Sequence, residues 1–234
     1  MTDLIDLYFW PTPNGWKISI ALEEMGLAFH PHLIDIGAGD QFDPDFLKIA
    51  PNNRMPAIID PDGPDGAPVS VFESGAILQY LAAKTGRFGG RTPRERIAVT
   101  EWLMWQMGGL GPMAGQAHHF LKFAKQDVPY AKDRYRAETA RLYAVLDRRL
   151  EQHEFVAGAS YTIADMAIWP WASLWEGQQQ TLADKPNMAR WLDTVSARPA
   201  VQRGRALAAN LRDATGDKTA LKQQFKREHP DPRL

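Results

Sequence analysis

Cysteine is absent from all 234 residues. That absence excludes a disulfide framework, a thiolate zinc or iron–sulfur site, and a cysteine nucleophile. Thiol chemistry, if the protein performs any, must take its sulfur from a ligand. An excess of charge is missing as well: 27 Lys and Arg face 28 Asp and Glu, a net charge of -1 at pH 7. No overall field draws nucleic acid or an anionic membrane. No apolar run approaches the ~20 residues of a spanning helix. The start, Met1-Thr2-Asp3-Leu4, lacks the basic and apolar stretches of a signal peptide. These absences predict a soluble, cytoplasmic protein with no nucleic-acid or membrane partner. What is present is an ordinary globular composition, 44% hydrophobic and 24% charged, at a length suited to one or two domains.

Ile5 to Phe9 is a short apolar run ahead of the turn cluster Pro11-Thr12-Pro13-Asn14-Gly15, and reads as a buried strand. Ile18, Ala21, Leu22 and Met25 then mark one face of a helix, with Gly26 where a left-handed residue ends it. Phe29 to Ile34 fits a second strand. This β-α-β order favours a parallel pair joined by a crossover helix. Gly37 to Asn53 reads as irregular, with at most a turn of helix near Phe46-Leu47. Ala57 to Ile59 and Val69 to Phe72 are strands joined by the hairpin chemistry of Asp60 to Gly66, hence antiparallel. Glu73-Ser74-Gly75 opens a helix ending near Gly86. The order β-α-β, loop, β-β-α over residues 1–86 is that of a thioredoxin-like domain.

After a linker, Arg87 to Pro93, the pattern turns wholly helical over residues 94–212. An amphipathic helix to about Met107 precedes a long polar loop, Gly108 to Val128. Pro129 to Gln152 is a strong helix, with Tyr135, Leu142, Val145, Leu146 and Leu150 on or near one stripe. Thr162-Ile163-Ala164-Asp165 has the form of a capping box, with Asp in place of the usual Glu or Gln. Met188 to Ala197 is a further helix. From 213 to 234 apolar residues thin out, which predicts a loosely ordered tail. The fold class is therefore α/β plus all-α.

Four stretches carry a resemblance: Tyr8-Phe9-Trp10-Pro11-Thr12-Pro13-Asn14-Gly15, Pro51-Asn52-Asn53-Arg54-Met55-Pro56-Ala57-Ile58, Phe72-Glu73-Ser74-Gly75-Ala76-Ile77-Leu78 and Tyr161-Thr162-Ile163-Ala164-Asp165. In order and spacing they resemble a glutathione transferase, across residues 4 to 205. The Pro-Thr-Pro-Asn-Gly form of the first, with Gly-Gly-Leu-Gly-Pro-Met and His118-His119 later, resembles the bacterial Nu class. That class includes glutathione-dependent disulfide-bond oxidoreductases. The resemblance implies the glutathione transferase fold, a homodimer, and glutathione as co-substrate, with two molecules per site in that class and no metal.

The physical case for each stretch is separate from the resemblance. Thr12 and Asn14 stand at the start of the first helix, where unpaired N–H groups carry partial positive charge. A glutathione sulfur placed there would be held as thiolate by the Thr12 hydroxyl, the Asn14 amide and the backbone. Lowering a thiol pKa by two units from about 8.5 requires about 2.7 kcal/mol. Two or three hydrogen bonds to charged sulfur supply that much. Read alone, the same residues are a turn and a helix cap. The resemblance also implies a cis Pro56, with the Met55 backbone pairing to the extended tripeptide as an added strand does. Ser74 and its helix N-terminus form an anion site for the γ-glutamyl carboxylate, or simply an N-cap; Glu73 would take the ammonium. The resemblance places Gln41 and Arg54 near the glycyl end and brings Arg134 from the second domain.

Tyr8, close to the catalytic tyrosine position of some classes, reads as a core residue. His118-His119 lacks the spacing of a zinc helix and reads as structural or as a subunit contact. Trp10, Trp169 and Trp171 are candidates to line an apolar pocket. The leading function is a disulfide-bond oxidoreductase that uses bound glutathione thiolates and no protein cysteine. The alternatives are a transferase conjugating electrophiles, with or without peroxidase activity, and a non-catalytic partner-binding protein of the same fold.

Overall fold

The structure, a computed structural model, describes residues 4–233. Met1-Thr2-Asp3 and the last residue of the tail, Leu234, lie outside them. The chain forms two compact units, Met1–Leu81 with Pro199–Leu234, and Ala82–Arg198.

In the first unit, β1 (Ile5–Phe9) leads into α1 (Pro13–Met25), which Gly26 ends at φ 68°. β2 (Phe29–Leu33) lies parallel to β1. A 3-10 turn at Asp40–Phe42 and α2 (Pro44–Ile49) occupy the stretch expected to be irregular; α2 is capped by Asp43, whose side chain accepts from the Asp45 N–H. β3 (Ala57–Asp60) and β4 (Val69–Phe72) are antiparallel, and β3 also pairs antiparallel with β1. The sheet order is β2-β1-β3-β4. α3 (Ser74–Thr85) follows. β1 is central, and its inward Leu7 and Phe9 are fully buried with Ile58 of β3. This is the thioredoxin-like arrangement that the element order predicts.

The second unit begins with α4 (Pro93–Trp105), which carries a capping box from Thr92 and Glu95. The expected loop over 108–128 is instead almost wholly helical. A π-turn at Gln106–Leu110, α5 (Gly111–His118) and a second π-turn at His119–Phe123 run on without a break. Gly108, Gly109, Gly111 and Gly115 lower the intrinsic helix propensity by about 1 kcal/mol each relative to Ala, and that hides the helix from a reading of pattern. Burial overrides propensity here: Leu110, Ala114 and Ala117 are fully buried. The Trp171 ring lies 3.3 Å from where a Gly115 Cβ would stand. α6 (Pro129–Glu151), α7 (Ile163–Ala172) and α8 (Pro186–Ser196) follow expectation.

α9 (Pro199–Ala206) and α10 (Ala209–Asp213) return to the first unit, although residues up to 212 were expected with the helical domain. α9 packs tightly on α1. The Ser19 hydroxyl donates to the Gly204 carbonyl at 2.7 Å, and a Cβ on Gly204 would meet the Ile20 nitrogen at 2.6 Å. Gly204→Ala is therefore expected to destabilise the protein by ~2 kcal/mol through overpacking, read as a lower urea midpoint with an unchanged slope.

The tail also departs from expectation, for Thr219–Glu228 form α11. One residue of this helix, Phe225, is buried, packed on Phe9 and His229. Ion pairs supply the other anchors: Lys222 to Asp35 at 2.6 Å, and Arg233 to both oxygens of Asp6 at 2.6 and 3.0 Å. A single buried aromatic makes no periodic pattern, and the partners lie some two hundred residues away in the sequence.

Candidate functional site

The turn from β1 into α1 is built around an uncapped helix end. Thr12 is the N-cap residue in extended conformation, φ -120° and ψ 165°, yet its side chain makes no capping bond. The hydroxyl oxygen instead lies 3.5 Å from the Trp10 carbonyl oxygen and 3.7 Å from the Met55 sulfur, its two acceptors. The Trp16 N–H bonds back to the Thr12 carbonyl at 2.9 Å. With the N-cap hydroxyl turned away, the positive end of a 13-residue helix faces outward beside Thr12 and Asn14, both half-buried. That is a place to stabilise an anion.

The Thr12–Met55 contact joins the first motif to the second across 43 residues. The Met55-Pro56 peptide bond is cis, as the resemblance implied. The Met55 side chain packs against Ile34, Phe46, Ala50 and Ala57, and Tyr8 joins the same cluster. Tyr8 stacks on His32 at 4.6 Å, and burial raises its phenol pKa above the usual value. It is a packing residue, as expected. Gln41 is buried, its amide nitrogen 3.4 Å from the Ile36 carbonyl and its Oε1 without a hydrogen-bond partner. Arg54 is exposed on the loop ahead of the cis bond.

The third motif meets α1 from the other side. Glu73 holds a left-handed backbone, φ 70°, and is exposed, while Ser74 at the start of α3 is buried. Glu73 accepts from the Asn52 amide at 3.3 Å. Lys17 of α1 donates to the Ser74 hydroxyl oxygen at 3.2 Å and is only 1% exposed. Burial pushes the Lys17 ammonium down to about 7, opposed by the charge of Glu73. Sequence reasoning missed Lys17. The available signal is its place four residues before Ala21, on the apolar stripe of α1, where a charge must find a partner.

The second unit holds the remaining candidates. Arg134 lies on α6 and lines a cavity with Met113, Tyr130 and Glu138. His118 stacks on Phe123 and His119 meets Phe120 edge-on, which are packing contacts. Trp169 is 2% exposed and donates to the Ser196 hydroxyl, and Trp10 is 5% exposed beneath Lys218 and Lys222. Both indoles are buried. Among the described residues no three His, Asp or Glu side chains cluster as metal ligands. No described helix is long and apolar enough to cross a membrane.

Residues 4–83 match the glutathione S-transferase N-terminal domain, and residues 110–199 match the C-terminal domain. The chain is 51% identical over 216 residues to the disulfide-bond oxidoreductase YfcG of Escherichia coli, covering 92% of this chain and 100% of that protein. It belongs to the glutathione transferase family. A second Escherichia coli relative of this transferase, the disulfide-bond oxidoreductase YghU, is 41% identical, covering 86% of this chain and 74% of its own. Among solved structures, a glutathione transferase of Burkholderia graminis with two glutathione molecules bound per subunit is 47% identical, with a TM-score of 0.82. The match covers 87% of the transferase described here and 88% of that chain. A glutathione transferase of Pseudomonas putida with one glutathione disulfide bound per subunit is 42% identical at a TM-score of 0.83, covering 88% and 92%. These relatives are enzymes, and the fold of this transferase is theirs.

Proposed function

We propose that this transferase reduces small or mixed disulfides with glutathione bound in its first unit. The observation that carries the reading is the uncapped start of α1, where Thr12 and Asn14 stand beside the cis Met55-Pro56 bond in a protein with no cysteine. The helix end and the two polar side chains hold the glutathione sulfur as thiolate. Met55 pairs with the tripeptide backbone, and Glu73 with Ser74 takes its γ-glutamyl end. Gln41 and Arg54 serve the glycyl end.

The thiolate attacks one sulfur of the substrate disulfide. A bond forms between glutathione and that sulfur, and the other sulfur leaves as a thiolate. A second glutathione thiolate then attacks the mixed disulfide, releasing glutathione disulfide and the second substrate thiol. Two glutathiones are oxidised and one disulfide is reduced, with no protein sulfur in either step. The relative holding two glutathiones per subunit supports this stoichiometry, and the relative holding glutathione disulfide matches its product. The enzyme acts in this reading as a cytoplasmic homodimer.

The test compares reduction of 2-hydroxyethyl disulfide with conjugation of an aryl halide. Reduction is expected to dominate. Asn14→Ala should lower kcat/KM for reduction about tenfold, the worth of one charge-assisted hydrogen bond, with thermal stability nearly unchanged. Unchanged reduction by that variant, with glutathione still bound, would overturn the assignment.

A further inference from the structure

The turn after β2 carries Gln41, and one residue organises it. The Asp35 carbonyl accepts from the N–H groups of Ala38, Gly39 and Asp40 at 3.1, 3.1 and 3.2 Å. Its own N–H donates to the Asp40 carboxylate at 2.9 Å, and its Oδ1 accepts from the Gly37 N–H at 3.0 Å. Gln41 closes the turn, its amide nitrogen 3.4 Å from the Ile36 carbonyl. Gln41 is buried, its Oε1 has no hydrogen-bond partner, and its Nε2 carries a second hydrogen. A buried amide in that state can be satisfied by a polar ligand.

Asp35 is itself 5% exposed, and a buried carboxylate is unfavourable unless a counter-charge meets it. That charge comes from α11. Lys222 lies 2.6 Å from Oδ2 of Asp35, so one oxygen holds the turn and the other holds the helix. Lys218, Lys222 and Phe225 follow one another at i, i+4 and i+7, along one helix face. The two ammonium groups stand 5.2 and 5.8 Å from the centre of the Trp10 ring, and Phe225 packs on Phe9. Trp10 leads straight into the Thr12 turn, its carbonyl accepting from the Thr12 N–H at 2.7 Å. α11 therefore joins the two turns that carry Thr12 and Gln41. Only Phe225 of this helix is buried, so its placement there depends on the charges.

We propose that Lys222 is a positioning residue for the glycyl end of glutathione, pinning Asp35 so that the turn presents the Gln41 amide to the ligand's glycyl carboxylate. This rests on the glutathione reading above and adds to it a residue of the tail that does not itself touch the peptide. Without the ion pair the Asp35 carboxylate turns toward water, and the turn loses its anchor on one side. Ordering Gln41 then has to be met out of the binding free energy.

The test measures binding of glutathione and of γ-glutamylcysteine methylamide, which lacks only the glycyl carboxylate, by titration calorimetry. The wild-type protein is expected to prefer glutathione about tenfold, the worth of one charge-assisted hydrogen bond. Lys222→Met should bind glutathione roughly fivefold more weakly and the methylamide as the wild type does. Lys222→Arg keeps the charge and should stay within about twofold of wild type for both. In the reduction assay the loss should appear as a raised KM for glutathione with kcat unchanged.

Coupling to Gln41 separates a positioning role from a structural one. Gln41→Ala should weaken glutathione binding about tenfold, and Lys222→Met added to it should cost less than about twofold more. Asp35→Asn keeps an oxygen for the Gly37 N–H but releases Lys222, and should reproduce the loss seen in Lys222→Met. Additive losses in the double variant, or a Lys222→Met protein that discriminates as well as wild type, overturn the role of Lys222 and leave the glutathione reading standing. A wild type that binds neither peptide overturns the glutathione reading itself.

Discussion

Asp165→Ala is expected to lower the stability of the protein by about 4 kcal/mol, the largest effect of any single side-chain truncation considered. Asp165 is fully buried and satisfies four donors. Oδ1 accepts from the Val156 N–H at 3.0 Å and the Trp191 indole N–H at 2.9 Å. Oδ2 accepts from the Thr162 N–H at 2.9 Å and the Thr162 hydroxyl at 3.1 Å. One carboxylate therefore starts α7, ties it to α8 through Trp191, and holds the loop ahead of it. Loss of a helix cap alone costs about 1 kcal/mol; stranding buried donors as well accounts for the rest. At 2–4 °C per kcal/mol for a chain of this size, the melting temperature should fall by roughly 10 °C, measured by calorimetry. A fall below about 1 kcal/mol would contradict the account. The pH dependence has a definite sign. Burial raises the Asp165 carboxyl to about 6 in spite of its hydrogen bonds, so the folded state holds the proton more tightly than the unfolded state. Its contribution is full below about pH 3.9 and is lost as pH rises through 6. Asp165→Asn should remove that component of the stability profile.

Gly15→Ala should damage both the fold and the site. An ideal Cβ on Gly15 would lie 2.1 Å from the Trp10 carbonyl oxygen, 3.3 Å from its carbon and 3.5 Å from Phe9 Cδ2. The two nearest atoms are backbone of Trp10, the residue just after β1, which no rotamer change can move. The first turn of α1 must shift away by about an ångström, carrying Thr12 and Asn14 with it. Overpacking of this kind costs about 3 kcal/mol or somewhat more, and a displacement of that size at a reacting centre costs on the order of a hundredfold in rate. Glutathione-dependent disulfide reduction should therefore fall about a hundredfold as the melting temperature drops. Asn14→Ala separates the two effects, since it is expected to lose activity without losing stability. A Gly15→Ala protein with more than half of the wild-type kcat/KM would show that the helix start is not under this constraint.

Much of the first unit was legible because its elements are local patterns. The strand Ile5–Phe9, the helix ending at Gly26 and the antiparallel pair 57–60 and 69–72 each announce themselves within a dozen residues. The capping box at Thr162 was legible too, but not the reach of Asp165 to Trp191, 26 residues further on. The helix over 111–118 was not legible, since its glycines argue against it and only the Trp171 ring pressed on Gly115 explains them. Gly15 was read within a turn, whereas its role in the folded protein is to let α1 approach the end of β1.

The sequence by itself determined that no protein thiol can react, because that depends only on composition. It also determined the order of strands and main helices over residues 1–86 and the polar residues at two helix starts, since caps, turns and periodicity act over a few neighbours. Only the tertiary structure decided that Thr12 leaves α1 without a side-chain cap and lies against Met55, that Lys17 bonds to Ser74, and that α11 returns to Asp35. Those pairings join residues 43, 57 and 187 positions apart, and such contacts arise from packing and buried charge, which leave no local pattern to read.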